Sequence, residues 1–181
     1  MNEFEIKILD FIQQTFSCKF LDYFFIAITS LSNSGIFWII LAVVLLCFKK
    51  TRKTGICLGV ALILGEVFGN LILKNIFARP RPYVVNADAN VIIKKLSSYS
   101  FPSGHARCAT ESAVAIFANN KKWGTVAIVL AVLTAFSRMY LYMHYPTDVL
   151  AGAALGVIDG LLAVFIVKKI GEYNAKRKLG N

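Results

Sequence analysis

The sequence predicts an all-α protein, a bundle of six transmembrane helices that forms a single domain over residues 1–181. Two observations lead to this fold class. Hydrophobic residues make up 57% of the chain and the mean hydropathy is +0.62, whereas a soluble domain is about 45–50% apolar. The apolar residues are gathered into long runs between short polar or basic segments, which is typical of an integral membrane protein.

Residues 2–16 predict an amphipathic helix that lies in the membrane interface. Their apolar positions recur at roughly helical spacing among acidic and amide side chains, and the segment is too short to span a bilayer. A helical tail in the cytosol is the alternative. The acidic and amphipathic start, MNEFEIKILD, does not have the pattern of a cleavable signal peptide, and none is expected.

The first half of the chain contains three predicted spans. Phe20–Leu31 and Gly35–Phe48 are apolar runs separated by the polar residues 32–34, which predict a tight turn between two helices. Each run is shorter than the usual span of about 20 residues, so a single tilted helix is the alternative. The third span is Gly55–Phe77, and the prolines of the following RPRP run end it.

The second half begins with residues 83–101, a long polar segment in which 91–96 could form a short helix on the membrane surface. Three further spans follow at Gly104–Asn119, Trp123–Met143 and Thr147–Val167.

Small side chains along the sixth span and the cysteines are interpreted as packing residues. Gly152, Gly156 and Gly160 recur every fourth position, which allows close helix contact within the chain, a better explanation than dimerisation. The cysteines lack metal-ligand spacing and are read as small apolar side chains rather than disulfides or ligands: Cys18, Cys47, Cys57 and Cys108.

The basic residues predict the orientation in the membrane. Six spans put both termini on one side, which also collects thirteen of the 20 Lys and Arg residues, so both termini are expected in the cytoplasm. The net charge of +10 comes without any DNA- or RNA-binding motif, and no nucleic-acid partner is expected. Seven cations are left on the opposite side with both histidines, where an anionic ligand would explain them: Lys74, Arg79, Arg81, Lys94, Lys95, Arg107 and Arg138.

His144 and Asp148 are candidates for nucleophilic or general-base chemistry. If the segment begins the sixth helix, residues four apart share one face. A carboxylate on one imidazole nitrogen fixes the tautomer and leaves the other nitrogen free as nucleophile or base. A lone histidine near a membrane surface is usually an ordinary interfacial residue, but here Arg138 also lies six residues upstream.

Ser103 and Gly104 are candidates for binding an anion at a helix start. The first N–H groups of a helix and its macrodipole favour an anion, glycine allows close approach, and the serine hydroxyl can donate. An ordinary N-cap without a ligand explains Ser103, but it does not explain the adjacent His105.

Lys74, Arg81 and Arg138 are the cations expected to bind phosphate. The alternative, snorkelling of long cationic side chains to lipid headgroups, suits Lys94 and Lys95 well. It suits Arg138 poorly, because that residue lies about 9 Å below His144 in a regular helix.

Three motifs of this chain resemble the signatures of the type 2 phosphatidic acid phosphatase superfamily, and in particular its compact bacterial membrane members. They are K-x6-R-P at 74–82, P-S-G-H at 102–105 and S-R-x5-H-x3-D at 137–148. The resemblance implies that His144 attacks phosphorus to give a phosphohistidine, that Asp148 orients and activates it, and that His105 protonates the leaving oxygen. It implies phosphoryl-oxygen binding by the remaining motif residues: Lys74, Arg81, Ser103, Gly104 and Arg138.

The resemblance also implies a function without a metal or other cofactor, because cations neutralise the phosphoryl charge. The expected reaction is dephosphorylation of a membrane lipid at the extracytoplasmic face of a bacterial plasma membrane. Undecaprenyl pyrophosphate, converted to undecaprenyl phosphate, is the first choice of substrate. Phosphatidylglycerol phosphate, phosphatidic acid and diacylglycerol pyrophosphate are alternatives, and a protein that binds or transports a phosphorylated lipid is the alternative from a different class. The sequence leaves the oligomeric state open.

Glu111 is expected to brace Arg138 inside the bundle. Each lies six residues from a motif histidine along its own helix, which places both about 9 Å below the site. Ionisable groups within spans, here also Glu66 and Asp159, are either protonated or paired. A protonated Glu111 that is hydrogen-bonded elsewhere is the alternative.

Overall fold

The computed structural model describes residues 3–179, and within that range it contains helices and connecting segments but no β-strand. A π-helical segment, Glu66–Leu73, joins α4 to α5 without a break. The helices are α1 Glu3–Phe16, α2 Lys19–Ser30, α3 Ile36–Cys47, α4 Arg52–Gly65, α5 Lys74–Phe77, α6 Pro82–Val85, α7 Gly104–Asn119, α8 Lys121–Tyr140 and α9 Pro146–Leu179.

The predicted break between the first two apolar runs is confirmed. A 3₁₀ turn, Asn33–Gly35, separates α2 from α3, and Gly35 has a φ of 65°, a conformation that glycine adopts without steric cost. A single tilted helix over both runs is therefore excluded. The third apolar run is the continuous helix from α4 to α5, which ends at Phe77 before the prolines, with Ala78 in the left-handed region.

Helix α7 lies at the centre of the bundle and packs against α4, α8 and α9. The α9 glycines make this packing close, because a Cβ at Gly152 would lie 2.5 Å from the Ser103 carbonyl oxygen. A Cβ at Gly156 would lie 2.6 Å from the carbonyl oxygen of Arg107. The glycine stripe thus packs within the chain, as predicted.

The predicted short helix at 91–96 is wrong, since these residues are not helical. The hydroxyl of Tyr83 accepts from the Leu96 backbone N–H at 3.0 Å and donates to the Leu96 carbonyl at 2.6 Å. Both backbone groups that a helix would use at Leu96 are therefore bound to one side chain.

Helix α1 packs over the end of the bundle that carries both histidines. Leu9 and Ile12 are buried in a cluster with Tyr140 at the end of α8 and with Tyr142 and other residues of the segment between α8 and α9. The opposite face of α1 exposes Phe4 and other large apolar side chains. The helix itself is confirmed, and its place in the membrane interface stays a prediction.

The outer surface has the apolar character of a membrane protein. Three helical stretches of residues 3–179 are long and apolar enough to cross a bilayer, and α3 is a shorter apolar helix. Large apolar side chains are exposed along the outer faces of the helices, as in Val132 at 63% and Leu161 at 57%. The total of six spans stays a prediction. The longest stretches are Arg52–Val85, Lys121–Tyr140 and Pro146–Arg177.

Candidate active site

His144 lies on the turn that joins α8 to α9. Hydrogen bonds from residues outside this turn fix its conformation. Tyr142 has a φ of 58°, a strained conformation for a side chain of its size. Its hydroxyl donates to the Asp10 carboxylate at 2.6 Å and accepts from the Asn86 amide at 2.8 Å. The carbonyl of Arg138 accepts from the His144 N–H at 3.2 Å. Helix α1 thereby fixes the conformation that brings His144 into the site.

Asp148 lies beside His144, but a third residue stands between the two side chains. Asp148 Oδ2 is 3.7 Å from Nδ1 of His144. The buried Ser100 hydroxyl donates to the same carboxylate oxygen at 2.5 Å and lies 3.4 Å from Nδ1. The predicted pair does not share a helical face, because α9 begins at Pro146 and His144 precedes it. Asp148 instead belongs to the first turn of α9, where its Oδ2 also accepts from the Tyr145 N–H at 3.0 Å.

Arg81 reaches the other nitrogen of His144. Its Nη1 lies 3.2 Å from Nε2, and because an arginine only donates, Nε2 is the unprotonated acceptor and the proton sits on Nδ1. The rest of the guanidinium is fixed by the Met143 carbonyl at 2.9 Å, the Ser98 carbonyl at 2.7 Å and hydroxyl at 3.0 Å, and the Tyr99 carbonyl at 3.2 Å. Nε2 therefore carries the lone pair that a nucleophile needs.

The surroundings of His144 keep its imidazole neutral. Burial lowers the pKa of His144 well below its ordinary value, and the nearby cations Arg81, Arg138 and Lys74 lower it further. A neutral imidazole is the form that can attack phosphorus.

Arg138 is buried and only partly satisfied. Its Nη1 donates to the Thr29 hydroxyl of α2 at 2.5 Å, while Nε and Nη2 have no hydrogen-bond partner. Buried donors without a partner are costly, and a phosphoryl oxygen would satisfy them. The structure thus brings Arg138 to the cavity that Lys74, Arg81 and His144 also line.

The P-S-G-H segment forms the start of α7 as predicted. Ser103 is the buried N-cap, and its hydroxyl accepts from the Ala106 N–H at 3.5 Å. Gly104 and His105 line the cavity, whereas Ser103 does not. A Cβ at Gly104 would lie 3.1 Å from Asn70 Oδ1, so a side chain there would narrow the cavity. His105 Nε2 lies 2.9 Å from Asn33 Oδ1 in the turn after α2.

These groups surround a cavity of about 930 Å³. Among the described residues, no three His, Cys, Asp or Glu side chains converge as metal ligands. Lys74, Arg81 and Arg138 face the cavity instead, with both histidines, and this arrangement suits a phosphate-sized anion.

Charged side chains from inside the helix bundle also line the cavity, among them Arg107 and Glu111. Arg107 of α7 forms a buried ion pair with Asp159 of α9, and Glu111 lies 3.9 Å from the Arg107 guanidinium. The expectation that Glu111 braces Arg138 is wrong: Glu111 pairs with Arg107, while Arg138 turns to Thr29. Glu111 and Arg138 come from helices that pack together, but α7 directs Glu111 toward Gly65 of α4.

Several residues of the site were not singled out from the sequence. Ser100 lies before the P-S-G-H motif, and Asn33 and Thr29 lie far from any motif. Arg79 binds Asp148 Oδ1 at 2.6 Å and Glu5 of α1 at 2.6 Å. Only Arg79 left a signal in the sequence, as one of the cations on the disfavoured side of the membrane.

Comparisons with known proteins show which family and which folds this chain is similar to. A family model described as the PAP2 superfamily matches residues 54–172. The chain is 37% identical to an undecaprenyl-diphosphatase of Sulfolobus acidocaldarius, over 75% of this chain and 68% of that protein. Its fold is similar to Aquifex aeolicus LpxE, with a TM-score of 0.77 and 28% identity over 87% of this chain and 93% of that one. It is also similar to a transmembrane PAP2-type phosphatidylglycerolphosphate phosphatase of Bacillus subtilis, with a TM-score of 0.72 and 26% identity over 95% and 86% of the two chains.

Proposed function

Because this chain belongs to the PAP2 superfamily and is a lipid phosphatase, we propose that it removes a phosphoryl group from a membrane lipid through a phosphohistidine at His144. The observation that carries the proposal is the 3.2 Å contact between Arg81 Nη1 and His144 Nε2. It leaves the proton on Nδ1 and the lone pair on Nε2, the nitrogen in contact with Arg81. A protein that only binds a lipid phosphate would have no use for a histidine held in this tautomer.

In the first step, Nε2 attacks phosphorus and a nitrogen–phosphorus bond forms as the bond from phosphorus to the lipid oxygen breaks. The electron pair leaves on that oxygen, and His105 donates a proton to it. When Nε2 turns to phosphorus, the Arg81 Nη1 donor that it releases passes to a phosphoryl oxygen. Other phosphoryl oxygens take over the free donors of Arg138 and bind Lys74 and the N–H groups at the start of α7, at Ser103 and Gly104. Asp148, acting through Ser100, stabilises the proton on Nδ1.

In the second step, water attacks the phosphorus of the phosphohistidine. The nitrogen–phosphorus bond breaks and returns its electron pair to Nε2, while His105 accepts the proton of the water. Inorganic phosphate leaves, and both histidines return to their starting forms. The residues of this chain balance both steps without a cofactor.

We propose an isoprenoid lipid diphosphate as substrate, with undecaprenyl pyrophosphate converted to undecaprenyl phosphate. The similarity to a protein named undecaprenyl-diphosphatase supports this choice. The similarity to a phosphatidylglycerolphosphate phosphatase supports phosphatidylglycerol phosphate as the alternative. Phosphatidic acid and diacylglycerol pyrophosphate are further alternatives.

The proposed setting is the plasma membrane of a bacterium, with both termini in the cytoplasm and the site at the extracytoplasmic face. The distribution of Lys and Arg supports this orientation. Labelling of single cysteines introduced at exposed positions in intact cells tests it, and access to the 86–100 segment only after lysis would reverse it.

The test of function is release of inorganic phosphate by purified protein in detergent from four substrates, presented separately at equal surface concentration. They are undecaprenyl pyrophosphate, phosphatidylglycerol phosphate, phosphatidic acid and diacylglycerol pyrophosphate. The highest kcat/KM is expected for undecaprenyl pyrophosphate. Lipid binding without phosphate release from any of them would favour a binding or transport protein.

A further inference from the structure

The carboxylate of Asp148 is fully buried and accepts three hydrogen bonds. Oδ1 accepts from Arg79 Nη1 at 2.6 Å. Oδ2 accepts from the Ser100 hydroxyl at 2.5 Å and from the Tyr145 N–H at 3.0 Å. A buried carboxylate stays ionised only if a cation and hydrogen bonds compensate it, and Arg79 is the cation in direct contact.

Arg79 is held in turn by the N-terminal helix. Its Nη2 binds Glu5 Oε2 at 2.6 Å, and its Nη1 donates to the Thr147 hydroxyl at 2.7 Å. The guanidinium also stacks over the Tyr145 ring, 3.9 Å from the centroid. One planar group therefore spans from α1 to the first turn of α9, a geometry that its fork of donors makes possible and a lysine could not reproduce.

Glu5 makes a second set of contacts with the same turn. Its Oε1 accepts from the Thr147 N–H at 2.9 Å and from the Thr147 hydroxyl at 2.7 Å. Thr147 is the second residue of α9, so its N–H has no partner within the helix. Glu5 thus caps α9 from another helix, and it fixes the turn in which Asp148 lies.

We propose that Glu5 and Arg79 are positioning residues of the phosphoryl transfer, which hold the Asp148 carboxylate where Ser100 can align the imidazole of His144. The effect on phosphoryl transfer rests on the proposed function, whereas the effect on the position of His144 does not. This positioning role makes the N-terminal helix a component of the active site rather than only a membrane anchor.

The charge balance predicts what each substitution does. The Arg79 guanidinium pairs with two carboxylates, those of Glu5 and Asp148. Three further cations lie near His144 instead: Arg81, Arg138 and Lys74. Without Arg79, the two buried carboxylates lack a cation and repel each other, so Asp148 rotates away from its position beside Ser100. Without the charge of Glu5, Arg79 still pairs with Asp148 but is no longer tied to α1.

The experiment compares Arg79→Met, Arg79→Lys, Glu5→Gln and the double variant Glu5→Gln/Arg79→Met with wild type in the phosphate-release assay. Arg79→Met is expected to lower kcat about 50-fold with KM changed by no more than about twofold, because misalignment of about 1 Å costs on this order. Arg79→Lys should recover part of this loss, to a kcat about fivefold below that of wild type. A lysine restores the positive charge but not the planar arrangement of donors that binds both carboxylates. The double variant should be no slower than Arg79→Met, because Glu5→Gln removes one of the two carboxylates that are left without a cation.

A second measurement does not depend on turnover. The chain has two histidines, so a ¹⁵N-histidine-labelled sample gives two imidazoles, which a His105→Gln sample assigns. In Arg79→Met the Nδ1 resonance of His144 should shift at pH 7, and in Lys95→Met, an exposed cation of the same face, it should not. Glu3→Gln on α1 is the matched control for Glu5→Gln and should keep wild-type kcat.

An unchanged kcat or an unchanged Nδ1 resonance in Arg79→Met would each overturn the inference. If Arg79→Met does not fold, Arg79→Lys and Glu5→Gln serve in its place, with a kcat loss of about fivefold expected for each. Wild-type protein that releases no phosphate refutes the proposed function, and the resonance then still decides whether Arg79 positions His144.

Discussion

The Ser100 hydroxyl donates to an Asp148 carboxylate oxygen at 2.5 Å. From this position the hydroxyl lies 3.4 Å from His144 Nδ1, nearer than the carboxylate at 3.7 Å. Serine is therefore the group through which the carboxylate acts on the imidazole.

Ser100→Ala should lower kcat about tenfold and leave KM nearly unchanged, since the hydroxyl orients the imidazole and does not face the cavity. Steady-state phosphate release at several substrate concentrations measures both constants. Ser97→Ala, an exposed serine of the same segment, is the control and should behave as wild type. A Ser100→Ala enzyme with wild-type kcat would show that Asp148 reaches His144 without the serine.

His144 should carry phosphate during turnover. Enzyme quenched under denaturing conditions is expected to hold a phosphate that is labile in acid and stable in base, as a phosphoramidate is, and His144→Ala should hold none. His105→Ala should still accept the phosphoryl group, but it should be slowed chiefly for lipids with poor leaving groups. Phosphate that persists in His144→Ala would assign the nucleophile to another residue.

The acid limb of the kcat/KM profile, which reports the groups of the free enzyme, should lie below pH 6.5. Burial and the neighbouring cations lower the pKa of His144, so the reactive neutral imidazole persists at a pH where an exposed histidine, with a pKa of about 6.5, is protonated. Activity is lost only as the pH falls through this lowered pKa. Lys74→Met removes one of the cations and should move the limb to higher pH, and a limb that stays in place would show that Lys74 does not contribute to the lowered pKa.

Phosphate release should be unchanged by EDTA, because the cations Lys74, Arg81 and Arg138 supply the positive charge that a metal ion supplies in other phosphoryl transferases. The assay compares rates before and after chelation, with a Mg²⁺-dependent phosphatase as the positive control. Activity that EDTA abolishes and Mg²⁺ restores would contradict this prediction.

Much of the architecture could be predicted from apolar runs and turn residues. The break at 32–34 and the start of α7 at Gly104 follow from local chemistry, because polar residues and an N-cap act over a few positions. The short helix at 91–96 was wrong because Tyr83, a residue outside that segment, binds both backbone groups of Leu96. Local propensity could not reveal a partner supplied by the tertiary structure.

The motif residues could also be predicted, and most of them meet at one cavity, but the contacts that hold them could not. Equal depth along two helices suggested that Glu111 meets Arg138, yet depth says nothing about the direction in which each side chain points. Glu111 turns toward α4 and Arg138 toward Thr29 of α2. The contacts of Glu5 were equally hidden, since this residue binds Thr147 at a separation of 142 positions.

Helix α9 carries Asp148 in its first turn and Asp159 three turns later, about 16 Å apart. The first carboxylate is tied to Arg79 and the second to Arg107. Two ion pairs at different heights therefore hold α9 against the rest of the bundle, so a tilt or shift of this helix would disturb both pairs together.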